Sequence, residues 1–274
     1  MKLRWLVLCA LTTLACATVA RVTQAPAAAV GRLLLPPEQE ARLGAELAAE
    51  VRQREKMLDD AEVQEWIARV QNRIVGAVPA DDRQFEFETQ VIDDPETINA
   101  FALPGGYLFV YSGLIAAAES EAEVASVLAH EVAHVTLDHP AQQLATRLGV
   151  DTLQAILLGD RPGAIAQLGA GIAAQGYIAA YSREDEAEAD RFGLSYLAAA
   201  GYDPQAMVSF FRKLERLEGE GSSAVDRFFA SHPSSADRAR ELEAQIRALG
   251  LRGGKSSLVG GFDGIRARLA ADSR

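Results

Sequence analysis

The sequence predicts an α+β fold that is mostly α-helical, with a small β-sheet in the middle of the chain. Apolar residues recur at helical spacing through most of the stretches before residue 80 and after residue 119. Short runs rich in aromatic and β-branched residues, bounded by turn residues, lie between about residues 85 and 111. The 274 residues are 49% hydrophobic, which is enough for a sizeable buried core and excludes a disordered chain.

Charge and cysteine usage narrow the class of protein further. The chain carries 38 acidic and 27 basic side chains, and its net charge is -11. We therefore expect no nucleic-acid partner, because phosphate binding needs a basic face. The 2 cysteines, Cys9 and Cys16, both lie near the start of the sequence. The rest of the chain can form neither a disulfide framework nor a cysteine-based metal site.

The first residues have the features of an export signal. Lys2 and Arg4 precede an uncharged run from Trp5 to Ala20, which is shorter than the roughly 20 residues that a membrane-spanning helix needs. Small residues close this run, as at a signal-peptidase cleavage site. The alternatives are a lipoprotein signal, in which Cys16 becomes the lipidated first residue, and an uncleaved anchor. We expect an exported protein that is either periplasmic or a membrane-anchored lipoprotein facing the periplasm.

Most of the remaining chain predicts helices. The first begins after Pro36 and Pro37, with Glu38 and Glu40 in its first turn, where acidic residues complement the helix dipole. The apolar stretch from Gly163 contains glycines and glutamines, which favours a buried or partly buried helix over a membrane span. The predicted helices cover residues 38–51, 60–78, 119–148, 163–180, 182–197, 205–218 and 235–249.

Extended structure is predicted between the second and third helices. Residues from Phe85 to Val91 alternate with the period of two that is typical of a half-buried strand. Residues 99–103 form a second candidate strand, and a turn signal at Pro104-Gly105-Gly106 follows. The run from Tyr107 to Tyr111 is rich in aromatic and β-branched residues and predicts a third strand.

The strongest chemical signal is the sequence His130-Glu131-Val132-Ala133-His134. The chain has only 4 histidines, and three of them fall within ten residues. Residues four apart lie on one face of a helix, so His130 and His134 can share one metal ion. Glu131 can then reach a water molecule on that metal. The alternative is a helix with two surface histidines. His139 would lie on the opposite side of a continuous helix, so we expect a surface or helix-end residue there.

A catalytic zinc site needs a third protein ligand, and an acidic stretch offers several carboxylates. Residues 182–190 predict a helix start, and acidic residues there are usually solvated and stabilised by the helix dipole. Two pairs have the spacing of one helix face, Glu186 with Asp190 and Glu184 with Glu188. Spacing alone does not choose between these pairs.

In combination, these motifs resemble the M48 zinc metallopeptidases, a family that includes the Ste24 and Oma1 types and bacterial periplasmic relatives. The resemblance covers residues 40 to 245 and implies a zincin-like (gluzincin) fold, with the small sheet beside the helix of the His-Glu-x-x-His motif. The matching elements are His130-Glu131-x-x-His134, Glu186-x-x-x-Asp190, Asn99 to Gly106, and Ser231-His232-Pro233 with Arg238. The implied organisation is a signal peptide (1–20), a linker (21–35), an M48-like metallopeptidase domain (36–250) and a C-terminal tail (251–274).

The resemblance also implies roles for individual residues. It implies one Zn²⁺ per chain, held by His130, His134 and Glu186. Glu131 matches the general base, and Asp190 matches an acidic residue that supports the site or donates a proton. His232 matches a residue that can occupy the open metal position in a resting enzyme, and Arg238 matches an arginine near the active site.

These implications lead to the expected function, a zinc metalloendopeptidase of the cell envelope that acts on misfolded or misassembled proteins. The alternatives are a metal-dependent periplasmic chaperone or assembly factor with little proteolysis, and an exopeptidase or narrow processing enzyme. A strand edge from residues 99–103 or 107–111 could bind an extended peptide. The implied substrate-strand residues are Asn99, Ala100, Phe101 and Ala102. Membrane attachment is expected only through a lipid anchor at Cys16.

Overall fold

The computed structural model describes residues 35–233 and 238–272. The signal peptide, Cys16 and most of the linker lie outside these residues, so their assignments stay predictions. Helices α1 to α6 span Pro37–Arg54, Ala61–Gly76, Ser112–Ala117, Glu121–Thr136, His139–Leu148 and Val150–Leu157. Helices α7 to α12 span Ala164–Gln175, Arg183–Ala199, Gln205–Gly219, Asp226–Ser231, Arg238–Ala248 and Phe262–Asp272. The mostly helical α+β prediction is confirmed.

One sheet of three strands lies in the middle of the chain. Its strands are β1 (Glu88–Ile92), β2 (Ala100–Leu103) and β3 (Tyr107–Tyr111). The spatial order is β1-β3-β2, with β1 parallel and β2 antiparallel to β3. The third strand has the bounds that the sequence predicts. The first predicted strand begins too early, because residues 85–87 precede the pairing with β3 that starts at Glu88.

Two glycines make the turn between β2 and β3 possible. Gly105 and Gly106 have φ angles of 76° and 95°, in the region that side-chain-bearing residues avoid. A Cβ at Gly105 would lie 2.6 Å from the Cα of Ala41, and one at Gly106 would lie 2.3 Å from the oxygen of Glu86. The turn therefore packs tightly against α1 and the segment before β1.

The predicted long helix over residues 119–148 is wrong, because the chain breaks after α4. Asp138 has a φ angle of 61°, and α5 begins at the next residue with Pro140 in its first turn. In a continuous helix Pro140 would have no N–H to donate to the Thr136 carbonyl and its ring would clash with that carbonyl, so α4 ends before it and Pro140 lies in the first turn of the next helix. The break turns His139 back toward α4 instead of away from it.

The segment that we predicted as a C-terminal tail contains helix α12 over its described residues. Phe262, Ile265 and Leu269 of α12 are buried in the same core as α2 and α4. The Trp66 indole donates a hydrogen bond to the Gly260 carbonyl at 3.1 Å. Apolar burial therefore joins this segment to the domain, and its three buried residues stand at the i, i+3, i+7 spacing of one helix face.

Helix α4 runs through the centre of the domain, and every one of its residues is buried. It packs most extensively against α8, and Gly193 of α8 makes the close approach possible. A Cβ at Gly193 would lie 3.1 Å from the backbone of His130. Within residues 35–233 and 238–272, every helix is too short or too polar to cross a lipid bilayer.

Candidate metal centre

Helix α4 places the two histidines of the sequence motif on one buried face. The helix begins at a Ser120 cap, whose hydroxyl accepts a hydrogen bond from the Glu123 backbone N–H. His130 and His134 are only 2% and 0% exposed, and their Nε2 atoms lie 3.0 Å apart. Both nitrogens therefore face the same point, as the spacing of the motif predicts.

Helix α8 supplies the carboxylates beside this pair. It begins at a capping box, in which Ser182 and Asp185 each bond to the other's backbone N–H. The two carboxylate oxygens of Glu186 lie near the two histidines. Oε1 is 3.4 Å from His134 Nε2, and Oε2 is 3.5 Å from His130 Nε2. Of the two pairs that the spacing left open, Glu186 and Asp190 are buried beside the histidines, whereas Glu184 and Glu188 are exposed.

His232 enters the same cluster from the end of α10. Its Nδ1 lies 2.9 Å from Glu186 Oε1, and the side chain is fully buried. One ligand atom from each of His130, His134, Glu186 and His232 lies within 4.8 Å of the others. Imidazole nitrogens with a carboxylate oxygen form a donor set that suits Zn²⁺.

Buried atoms without partners give an independent test of whether these residues fit a metal ion. Within the described residues, His232 Nε2 and both carboxylate oxygens of Glu131 are buried and have no hydrogen-bond partner. Such atoms are costly to bury unless a further group satisfies them. A metal ion with its water would satisfy them, so the residues fit the group that the sequence implies.

Asp190 and Arg238 support the cluster from the side of α8 and α11. Arg238 donates two hydrogen bonds to the Asp190 carboxylate, at 2.9 Å from Nε and 2.8 Å from Nη2. Its Nη1 lies 2.6 Å from Glu186 Oε2. Asp190 Oδ1 in turn lies 3.0 Å from His130 Nδ1, at an angle outside hydrogen-bond geometry. Arg238 is thus beside the centre, where the family resemblance expects an arginine.

Burial and close charges shift the pKa values of the cluster. Burial lowers the pKa of His130, but the Asp190 and Glu186 carboxylates raise it, and the protein groups together place it at about 9. Burial and the charge of His130 hold the pKa of His134 well below its usual value. Burial raises the pKa of Glu186, but His232 and Arg238 outweigh this and hold it well below its usual value.

The pKa of Glu131 moves in the opposite direction from that of Glu186. Burial raises it, and the nearby His232 and His130 only partly offset the increase. A raised pKa gives a carboxylate a greater affinity for a proton at neutral pH. Glu131 therefore has the environment of a proton acceptor rather than that of a permanently charged ligand.

Two further residues touch the cluster, and the sequence reasoning missed both. His139 is only 3% exposed, so the surface expectation is wrong, although the residue does begin a helix. Tyr181, just before α8, stacks on His134 with ring centroids 3.7 Å apart and planes 14° apart. The Asp138–Pro140 break was the one signal that could have placed His139 here.

The sheet order corrects one of the two proposed substrate strands. Tyr107–Tyr111 is the central strand, so it offers no free edge. Within the sheet, β2 has only β3 as a neighbour, and Tyr111 donates to the Asn99 carbonyl. Because alternate residues of an antiparallel strand bond to each side, the peptide groups of Ala100 and Ala102 point away from β3. Phe101 and Asn99 bond on the β3 side.

Asn99 is fully buried at the start of this edge. Its Nδ2 donates to the Gly176 carbonyl at 3.0 Å, while its Oδ1 has no hydrogen-bond partner among the described residues. Of the four predicted substrate-strand residues, Asn99, Ala100 and Ala102 therefore carry hydrogen-bonding groups that the sheet does not use, although all three are at most 2% exposed. The Phe101 ring instead stacks on Phe109, with centroids 5.2 Å apart.

Comparison with known proteins places this arrangement among peptidases. The sequence model of peptidase family M48 matches residues 61–246. That region includes the sheet, α4, α8, α10 and nearly all of α11. It therefore contains every residue of the cluster described above.

Individual proteins are similar over the same region. The chain is 38% identical over 208 residues to the putative beta-barrel assembly-enhancing protease of Vibrio cholerae, covering 72% of this chain and 42% of that protein. It is 30% identical over 258 residues to the beta-barrel assembly-enhancing protease of Escherichia coli, covering 85% and 51%. Identity to the mitochondrial metalloendopeptidase OMA1 of Schizosaccharomyces pombe is 34% over 178 residues, covering 65% and 51%. The chain spans about half the length of these relatives.

Proposed function

We propose that this chain, which belongs to peptidase family M48, is a zinc-dependent metalloendopeptidase of the cell envelope that cleaves misfolded or misassembled proteins. One observation carries the proposal. The side chains of His130, His134 and Glu186 converge in a buried site beside Glu131, whose two oxygens are buried without partners. A site that only binds metal does not need an unpaired base at this position.

His130, His134 and Glu186 would hold the zinc ion and leave a position open for water and substrate. Zinc bound there would supply Lewis acidity, which makes a water molecule more acidic and polarises the scissile carbonyl. Glu131 accepts the proton released as the water oxygen bonds to the carbonyl carbon. It then passes this proton to the leaving nitrogen as the C–N bond breaks.

Asp190 and Arg238 would fix the orientation of the side chains that hold the metal. The negative charge of Asp190, 3.0 Å from the outer nitrogen of His130, favours a proton on that Nδ1 and so leaves Nε2 free to face the metal position. Arg238 fixes Asp190 by two hydrogen bonds, and its charge also reaches Glu186. Arg238 packs over the Phe211 ring at 4.0 Å, so its guanidinium has little freedom to move.

The β2 edge would bind the substrate as an added strand. The outward peptide groups of Ala100 and Ala102, with the side-chain oxygen of Asn99, would bond to an extended peptide. All three residues are at most 2% exposed, so the segment at Gly176, which bonds to Asn99, would have to move aside first. Such binding depends on hydrogen bonds to the backbone of the substrate rather than on its side chains. Only an unfolded segment has its backbone groups free for these bonds. We expect casein and a denatured protein to be cleaved at least about tenfold faster than the same protein folded. Equal rates would contradict strand addition.

His232 would cover the metal position in the resting enzyme. Its Nδ1 lies 3.4 Å from His130 Nε2, and its Nε2 lies 3.4 Å from Glu131 Oε1. A ligand held there competes with the water and the substrate that the reaction needs. Opening the site would therefore require His232, the residue directly after α10, to move.

The location in the envelope is supported by the sequence of the first twenty residues and by the bacterial relatives. Those relatives are named for beta-barrel assembly, which supports misassembled proteins as substrates here. We place the mature protein in the periplasm, with lipidation of Cys16 as the alternative. The mass of the mature N-terminus distinguishes cleavage after Ala20 from lipidation at Cys16.

The activity is tested with the wild type, Glu131→Gln and Glu184→Gln, measuring zinc content and casein cleavage for each. Glu131→Gln keeps the shape of the side chain but cannot accept a proton, so it should retain zinc and lose at least about 100-fold in cleavage rate. Glu184→Gln makes the same chemical change at an exposed position and should behave as the wild type. If wild type and Glu131→Gln cleave equally slowly, a chaperone without proteolysis is the better description.

A further inference from the structure

We propose, on the basis of the metal centre in the proposed function, that His139 and Tyr181 are positioning residues for His134. His139 fixes which nitrogen of the His134 ring carries the proton, and Tyr181 fixes the plane of the ring. Together they hold the His134 Nε2 lone pair toward the metal position. Neither residue touches the substrate or the metal in this role.

The first contact is at the outer edge of the His134 ring. His134 Nε2 faces the cluster, because it lies 3.0 Å from His130 Nε2 and 3.4 Å from Glu186 Oε1. Its other nitrogen, Nδ1, lies 2.9 Å from Nδ1 of His139. This is a hydrogen-bond distance between two buried imidazoles, so one of the two nitrogens must donate and the other must accept.

Metal binding decides which nitrogen donates. An imidazole that gives its Nε2 lone pair to a metal carries its proton on Nδ1, so His134 is the donor and His139 the acceptor. The proton of His139 then lies on Nε2. That nitrogen faces two carboxylates, Asp185 Oδ1 at 3.7 Å and Glu188 Oε2 at 3.6 Å, whose negative charge favours a proton there. His134, Asp185 and Glu188 thus favour the same arrangement of protons on His139.

The second contact is on the face of the His134 ring. Tyr181 stacks nearly parallel to it, with centroids 3.7 Å apart, and is itself almost fully buried. The Tyr181 backbone N–H donates to the Ser231 carbonyl at 3.0 Å. The stacking ring is thereby fixed to the segment that leads into His232. With its edge bonded and its face covered, the His134 imidazole can neither rotate nor flip freely.

The local backbone explains how His139 reaches this place. The left-handed residue Asp138 reverses the chain between α4 and α5, and the first turn of α5 then lies against the end of α4. A continuous helix would have carried His139 to the other side. The break in the helix therefore brings His139 within hydrogen-bond distance of His134.

The experiment measures the dissociation constant for zinc by competition with a chelator, and the visible spectrum of the cobalt-substituted protein. The variants are His139→Leu, His139→Asn and Gln143→Leu. Leucine removes the acceptor, whereas the Asn oxygen can occupy the place of the lost Nδ1. Gln143 is a matched control, one turn along α5 and buried, with side-chain atoms that have no hydrogen-bond partner among the described residues.

We expect His139→Leu to weaken zinc binding by about 10–100-fold and to alter the cobalt spectrum. His139→Asn should recover most of the affinity, and Gln143→Leu should bind zinc as the wild type does. Tyr181→Phe keeps the stacked ring and should match the wild type, whereas Tyr181→Ala should weaken binding. A merely structural role for His139 would leave affinity and spectrum unchanged in every folded variant.

The outcomes separate the positioning role from the proposed function. If the wild type binds one zinc tightly and His139→Leu binds it within twofold of Gln143→Leu, the positioning role is wrong and the zinc centre stands. If Asn fails to restore the affinity while its melting temperature matches the wild type, the acceptor role is wrong. If the wild type itself binds no zinc, both the centre and the positioning role are wrong.

Discussion

We expect Glu121→Gln to lower the free energy of unfolding by about 2–4 kcal/mol, because Glu121 anchors the C-terminal segment to α4. The Glu121 carboxylate is fully buried and accepts hydrogen bonds from one phenol, one serine and three successive backbone N–H groups. The donors are Tyr202, Ser257, Leu258, Val259 and Gly260, at 2.7–2.9 Å.

The size of this loss of stability follows from the hydrogen bonds that a neutral glutamine amide cannot accept at position 121. If the glutamine oxygen replaces Oε1, it keeps Tyr202, Leu258 and Val259 as donors. The amide NH₂ then faces Ser257, which can turn to accept, and the Gly260 N–H, which cannot. An unpaired buried N–H costs about 1–3 kcal/mol, and the remaining bonds lose the strength that the charge gave them.

Thermal unfolding measures this loss. For a domain of this size, 2–4 kcal/mol corresponds to a fall in melting temperature of about 4–16 °C. The control is Glu119→Gln, the same change at a side chain that is 72% exposed and paired with Lys213 at 3.1 Å. Surface pairs contribute about 0–1 kcal/mol, so Glu119→Gln should hardly change the melting temperature. Equal melting temperatures for the two variants would refute the anchoring role of Glu121.

The stability that Glu121 contributes should depend on pH, and the direction follows from its pKa. Burial alone raises the pKa of Glu121, but the hydrogen bonds from Val259, Leu258, Tyr202 and Ser257 outweigh it, and the net pKa is below its ordinary value. A carboxylate with a lowered pKa in the folded state adds stability above its unfolded pKa of about 4.3. That stability is lost as the pH falls through the folded value. The difference between wild type and Glu121→Gln should therefore shrink below about pH 4.

Two other changes test the packing and the resting state of the site. Gly193→Val should destabilise the protein by about 1–3 kcal/mol in chemical denaturation, because the new side chain presses on the His130 backbone. The control Gly171→Val, where an added Cβ meets nothing within 4 Å, should change stability by less than about 0.5 kcal/mol, and equal losses would contradict the close approach. His232→Ala should keep its zinc and cleave casein at least about twofold faster, since the covering ligand is gone. An unchanged rate would exclude a gating role.

Much of the fold and the metal cluster could be predicted from local sequence patterns. The β3 strand and the His130-to-His134 face follow from residue periods that any isolated helix or strand obeys. The choice of Glu186 and Asp190 over Glu184 and Glu188 depends on how α8 is rotated against α4. That rotation is set by packing at Gly193, which is a property of the assembled core rather than of the acidic stretch.

The missed features all depend on contacts between parts of the chain that are distant or that fold back. His139 was misplaced because extending the helix past Leu137 ignored that Pro140 cannot bond to the Thr136 carbonyl within a continuous helix. The packing of the C-terminal segment was missed because Glu121, which binds the loop before α12, lies far away in sequence, although the spacing of Phe262, Ile265 and Leu269 indicates a helix locally. The local sequence around Glu121, at the start of α4, is the same as that of a solvated acidic residue at a helix start. Its buried hydrogen-bond donors could therefore not be predicted from the sequence.

The zinc stoichiometry and affinity of Glu186→Gln, measured beside Glu184→Gln and the wild type, test the central claim most directly. If His130, His134 and Glu186 hold the metal, wild type and Glu184→Gln bind one zinc per chain. Glu186→Gln, with a neutral amide in place of the third ligand, then binds zinc at least about 100-fold more weakly and does not cleave casein. One zinc bound to Glu186→Gln with wild-type affinity would contradict the claim.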